Sequence, residues 1–213
     1  MRVAGTLEQS TARSARMSSR DEFLARVRAA QPAAVALPDV PLFETPAGER
    51  AERFIAGLAL YGGLCVRVRS VDEAQAAIYE KFGTDVALCS AVDAIPGTRP
   101  LPADTPPASL HDVDVAVVAA RFGVAETGSV WLSEVEYRVN TIGYLAQHLV
   151  VLLDEAEIVD GLQDAYRRDD FSQARYAALV TGPSATADIE GVLVRGAQGV
   201  RSLTVMLLGA GGA

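Results

Sequence analysis

The chain has 213 residues, half of them apolar and 22% charged, enough for one sizeable core with or without an appendage. Nineteen basic against 27 acidic residues give a formal net charge of −8, which disfavours polyanionic partners such as nucleic acid. No stretch approaches the ~18 apolar residues of a membrane span, and Met1 to Arg16 lacks the apolar segment of a secretory signal, so a cytoplasmic location is expected.

Residues 1–17 read as a disordered leader, with Met17 as an alternative start. Ser18 or Ser19 can cap a helix that carries Phe23, Leu24 and Val27 and ends near Ala30, before Pro32. Pro32, Pro38, Pro41 and Pro46 mark an extended connector, so 18–46 forms an appendage and the α/β domain spans 47–213. Phe54, Ile55, Leu58 and Tyr61 fall at helical spacing before Gly62-Gly63. Leu64–Val68 reads as a strand, Ser70 and Glu73 as a capping box, and Gly83 as a helix stop. Asp85–Cys89 is the next strand, and this βαβ spacing predicts a parallel pair.

After a Pro-rich loop, Val113–Ala120 has the apolar character of a buried strand. Phe122–Ala125 and Val130–Leu132 flank Glu126-Thr127-Gly128-Ser129 and predict a hairpin. Leu149–Leu153 is a further buried strand, 156–167 is expected to be helical, and Ala177–Thr181 is a strand ending at the Gly182-Pro183-Ser184 turn. A short helix or turn is expected from Thr186, then a last strand over Ser202–Leu208 and a Gly/Ala tail. This alternation indicates a three-layer α/β protein with an open, largely parallel sheet and an N-terminal helical extension. No GxGxxG and no GxxxxGK[ST] occurs.

Two segments concentrate chemistry. If a helix starts at Ser184 or Thr186, its free N–H groups and nearby hydroxyls make Gly182, Ser184, Thr186, Asp188 and Glu190 an anion site. The plainer alternative is an ordinary helix start, with Asp188 complementing the dipole. Glu126 is either a solvated hairpin tip or a partly desolvated base or nucleophile, with Thr127, Gly128 and Ser129 supplying donors beside it. His148, at the entry to a strand, is either a structural imidazole or an acid–base group, so Glu126 and His148 are the catalytic candidates. Arg138 and Asn140 either hold an anion or lie in a solvated loop. Cys65 and Cys89 are expected to be buried thiols. With no CxxC or Cys/His cluster, no intrinsic cofactor, no metal and no iron–sulfur ligand set is expected.

The run Phe122-Gly123-Val124-Ala125-Glu126-Thr127-Gly128-Ser129 and the run Gly182-Pro183-Ser184-Ala185-Thr186-Ala187-Asp188-Ile189-Glu190, continued by Gly191–Gly196, resemble the two signatures of the LUD-domain family of lactate-utilisation protein C. The resemblance covers roughly 47–208. It implies a fold like that of the sugar-phosphate isomerases and CoA transferases. It also implies a part in oxidising L-lactate to pyruvate beside companion subunits that carry iron–sulfur clusters. Two departures stand out: Gln198-Gly199-Val200 where the family has His-Gly-Pro, and Tyr144–His148 without the family's proline. Where the family histidine carried a proton, Gln198 can only hydrogen-bond. An autonomous acyl-transfer or isomerase-like enzyme using Glu126, and a non-catalytic scaffold or regulatory subunit, are the alternative expectations.

Overall fold

The structure, a computed structural model, describes residues 19–36, 38–43 and 49–209. The leader, Ser18, Pro46, Ala47 and the end of the tail lie outside the described residues. The chain divides into two compact units at Asp39/Val40. The first contains α1 (Ser19–Ala29), with Asp21 and Glu22 in its first turn and Arg26 and Arg28 in its last, charges that suit the helix dipole.

The second unit begins its regular structure with α2 (Arg50–Leu60), β1 (Leu64–Val68), α3 (Val71–Phe82) and β2 (Leu88–Ser90). A 3-10 turn over Pro107–Asp112 leads to β3 (Val115–Ala119), β4 (Gly123–Val124), β5 (Ser129–Ser133), α4 (Glu134–Tyr137), α5 (Ile142–Leu145) and β6 (His148–Asp154). β7 (Ile158–Val159), α6 (Leu162–Tyr166), α7 (Asp170–Gln173), β8 (Ala177–Val180), β9 (Ala185–Thr186), β10 (Val194–Arg195) and β11 (Ser202–Leu208) complete it.

β1, β11, β6, β3 and β2 form, in that order, a five-stranded sheet in which every pair is parallel. The three inner strands are the most apolar, as expected for strands covered on both faces. On one face α3 packs Ala74 and Ile78 against Val68, Leu88, Val115, Val150 and Met206, residues drawn from all five strands. On the other, Ala51, Phe54 and Leu58 of α2 join Ala116, Val118, Val151, Leu153, Val205 and Leu207. A second, mixed sheet of order β7-β4-β5-β8 builds on this face.

Four expectations are corrected. β1 and β2 are parallel but not neighbours: they are the two sheet edges, with three strands between them. The strand–helix–strand connection gives strand direction, whereas the later, more apolar strands claim the doubly covered centre. The capping box is offset, because Ser70 Oγ accepts the Glu73 N–H (3.2 Å) while the Glu73 carboxylate turns to the Arg69 N–H (3.0 Å). The helix over 156–167 starts only at Leu162. Ile158-Val159 pairs with β4 instead, and the Asp164 carboxylate caps the delayed helix at the Gly161 N–H (3.0 Å). No helix begins at Ser184 or Thr186: Ala185-Thr186 pairs antiparallel with Val194-Arg195. Ser184 is held extended by its N–H bond to Val200 (3.0 Å) and its carbonyl bond from Gly196 (2.6 Å).

α3 connects the two edge strands in the chain and packs beneath the sheet between them. Ile78→Ala should therefore cost about 2–5 kcal/mol, the range for emptying a buried aliphatic site. Urea unfolding reads the cost, and a loss near zero would show that α3 does not anchor the sheet.

Candidate functional site

The Glu126–Ser129 hairpin turn is built against α2. Gly128 has φ 66°, and a Cβ there would sit 1.9 Å from the Leu58 backbone nitrogen; one on Gly57 would sit 2.8 Å from the Gly128 nitrogen. The two backbones thus touch with no side chain between them. One turn further along α2, Gly182 (φ 69°) seats against the Tyr61 carbonyl in the same way, 2.4 Å from where its Cβ would lie. α2 is the common floor of both signature turns.

Hydroxyls join the turns above that floor. Thr127 Oγ1 and Ser129 Oγ are 2.7 Å apart, and Ser129 Oγ bonds Thr181 Oγ1 in turn. The pairing of β5 with β8 puts Val130 opposite Val180, which brings Ser129 to Thr181. Glu126 points the other way. Its exposed carboxylate accepts the Leu162 N–H (2.9 Å) at the start of α6, and its own N–H bonds the Asp160 carbonyl (3.0 Å).

Asp160 leads to two residues that sequence reading missed. Arg50 and Arg53, on the first turn of α2, both bond the Asp160 carboxylate. Arg50 also reaches the Ile158 carbonyl (3.0 Å). The Asp160 carboxyl is held below the ordinary range, first by the Arg50 bond and, against burial, by Arg53. Two guanidinium groups share one carboxylate at a helix N-terminus, where the dipole is also positive. Arg53 is 16% exposed, and its Nε is buried with no hydrogen-bond partner among the described residues. A buried donor left so is costly and sets Arg53 apart from the other described arginines. The sequence signal was two arginines at i, i+3 opening a predicted helix.

The remaining candidates sit elsewhere. Ser184 Oγ donates to the Gln198 carbonyl, and Thr186 Oγ1 donates to Asp188 (2.9 Å) while accepting the Asp188 N–H (3.3 Å). Glu190 has φ 55° in the turn of this exposed hairpin. Arg138 pairs with Asp93. His148 opens β6, opposite Val115, whereas Ala119 is opposite Leu152, so it lies at the N-terminal edge of the sheet. The described residues give it no contact with Glu126. Its Nδ1 bonds Ser202 Oγ (2.8 Å), its ring lies 5.0 Å from that of Phe82, and burial, then the Lys81 and Arg201 charges, push its pKa down. Burial raises the thiol of Cys65 to about 11 and also raises that of Cys89, so both are protonated at neutral pH. Among the described residues no group of three or more His, Cys, Asp or Glu is placed to hold a metal ion.

At the C-terminal edge of the sheet, Arg121 borders two clefts of about 160 and 320 Å³. Its guanidinium bonds Glu136 (2.7 and 3.0 Å) and lies 3.5 Å from Asp170, so carboxylates already outnumber it. An added anion gains little there. Burial pushes the Glu136 carboxyl up, but the Ser133 hydroxyl and N–H and the Arg121 guanidinium outweigh it, leaving the pKa below its ordinary 4.5.

Two outcomes follow from these contacts. Gly128→Ala combines a left-handed φ with a backbone clash and should cost more than the roughly 1 kcal/mol of an ordinary exposed glycine exchange; a melting point equal to wild type would remove the close contact. Because Glu136 titrates lower when folded, its contribution is present above about pH 4.5 and is lost as pH falls through the folded value. Glu136→Gln should therefore destabilise the protein near neutral pH and narrow its difference from wild type toward pH 3, read by denaturant midpoints across that range.

No curated protein matches the chain. The crystal structure of a DUF162 family protein from Deinococcus radiodurans shares the fold. It is 18% identical with a TM-score of 0.57, covering 76% of this chain and 100% of that one. The LUD domain model matches residues 108–208, a span that runs from the 3-10 turn before β3 through β11 and includes both signature turns. Over that span the chain is similar to the LUD domain, on an α/β fold shared with a DUF162 protein.

Proposed function

We propose that the protein is a component of an L-lactate utilisation system and binds a small carboxylate beside the Glu126–Ser129 turn, with Arg50 and Arg53 as its anchors. The association of the LUD domain with lactate use supports the first half. The observation that carries the second is the Arg53 guanidinium, paired through Nη2 to Asp160 yet keeping a buried, unpartnered Nε.

The chemistry is that of holding and orienting. A guanidinium presents paired donors to a carboxylate, and burial strengthens each charge-assisted bond. Glu126 has one carboxylate oxygen engaged by Leu162 and the other without a bond among the described residues, so it can accept a proton from a substrate hydroxyl held nearby. Oxidation of a 2-hydroxy acid also needs an electron acceptor. The family resemblance assigns that duty to partner subunits carrying iron–sulfur clusters, and the proposal adopts it.

The Arg121 clefts are the weaker choice on charge. Arg121 faces Glu136 and Asp170, whereas Arg50 and Arg53 divide a single carboxylate.

Charge-assisted hydrogen bonds contribute about 1.5–3 kcal/mol. Arg53→Met should therefore weaken L-lactate or pyruvate binding by roughly 10- to 100-fold in calorimetric titration, with Arg121→Met as the control that changes it little. The tagged chain, recovered from lactate-grown cells of its source, should bring an iron–sulfur protein with it. Wild-type binding by Arg53→Met would remove the anchor; recovery of the chain alone would remove the partnership.

A further inference from the structure

β1 is an edge of the parallel sheet, and its outer side is bare among the described residues. The Val68 carbonyl accepts the N–H of Gly209 (3.2 Å), in the continuation of β11. Peptide groups alternate in direction along a strand, so Leu64, Val66 and Val68 face β11 and the N–H and C=O groups of Cys65 and Arg67 point outward. No backbone bond to those outward groups occurs among the described residues.

An apolar surface runs beside this edge. Leu60 is 74% exposed, Tyr61 and Leu64 are each 54%, and Val66 is 38%. α3 leaves the sheet face open here, which is why strand residues on the α3 side remain in solvent. Sheet edges in natural proteins are commonly blunted by charges. The only charged residue in β1 is Arg67, and its guanidinium is already tied to Glu52 (2.6 Å) and Glu155 (3.0 Å).

Opposite charges flank the two ends of the edge. Before β1, the Arg195 guanidinium lies against Gly62, so close that a Cβ on that glycine would come within 2.2 Å of Nη1. After β1, exposed Asp72 stands in the first turn of α3. Neither Arg195 nor Asp72 has an ion-pair partner among the described residues.

We infer that this edge joins a second copy of the chain, β1 pairing antiparallel with β1 across a two-fold axis to make a continuous ten-stranded sheet. Cys65 exchanges both backbone bonds with Arg67 of the second copy, which centres the axis on Val66. Val66 then meets its own counterpart, and Leu64 lies opposite Val68, all on the α3 side of the sheet. The same rotation carries the Gly62 end of one β1 to the Ser70 end of the other. Each Arg195 is thereby brought toward Asp72 of the second copy. An isologous interface of this kind uses each contact twice. It is independent of the carboxylate site.

Analytical ultracentrifugation of the full chain across a wide concentration range tests the inference. A reversible species of twice the 22.4 kDa chain mass is expected. Leu64→Lys/Val66→Lys, both at exposed positions, should yield a monomer with an unchanged far-ultraviolet spectrum. Arg195→Glu should raise the dimer Kd about tenfold or more by opposing two pairs of like charges, and Arg195→Glu/Asp72→Arg should restore it. Hydrogen exchange adds a residue-level readout, since the amides of Cys65 and Arg67 should gain protection as the dimer forms. A monomer at every concentration overturns the inference. So does a dimer indifferent to the lysine pair, or a charge reversal that the second reversal fails to rescue.

Discussion

All five strands of the main sheet run the same way, and this single constraint organises the rest of the domain. A parallel pair cannot be joined by a tight turn, so each strand must hand the chain to a connection that carries it back to the end of the sheet where the strand began. The connection through α3 crosses from one sheet edge to the other, and Ala74 and Ile78 of α3 share a core cluster with residues of all five strands. The connections after β3 and β6 instead give strands to the second sheet, where β4 and β7 pair with each other. The signature turn at 126–129 is therefore held between the returns from two neighbouring strands.

The turn's residues have distinct physical duties. Gly128 provides contact without bulk, so α2 can approach the hairpin to backbone distance. Ser129 and Thr127 continue a hydroxyl chain from Thr181 that fastens the end of β8 to the hairpin. Glu126 secures α6. A motif of this density serves architecture even where it also serves chemistry. The arginines that give the site its positive charge come from a different element, 73 or more residues earlier in the chain than the turn they adjoin through Asp160.

Charge also separates two features that look similar at first. Arg121 and Arg53 each have a carboxylate in contact. Arg121 is neutralised by Glu136, whose own carboxyl is kept ionised by a Ser133 cap, and by Asp170. That arrangement locks α4 and α7 to the end of β3. Arg53 shares Asp160 with Arg50, and its buried Nε has no hydrogen-bond partner among the described residues. The two arginines thus differ in how completely their donors are matched.

The amino-acid order by itself determined the apolar strands over 64–68, 115–119, 148–154 and 202–208, the helices opened at Ser19 and Val71, the 122–132 hairpin and the Gly182 turn, because each is set by local periodicity, caps and turn residues. It also carried the two runs, at 122–129 and 182–190, that lie within the span matched by the LUD domain model. Tertiary structure alone decided that β1 and β2 stand at opposite edges, that Ile158-Val159 becomes a strand, and that Ala185-Thr186 is a hairpin arm rather than a helix start. Those outcomes rest on partners distant in the chain: β4 for Ile158-Val159, and Val200 and Gly196 for Ser184. The same reason hid Arg50 and Arg53, since a charged pair opening a helix looks solvent-facing until folding brings both to Asp160 and buries the Arg53 Nε.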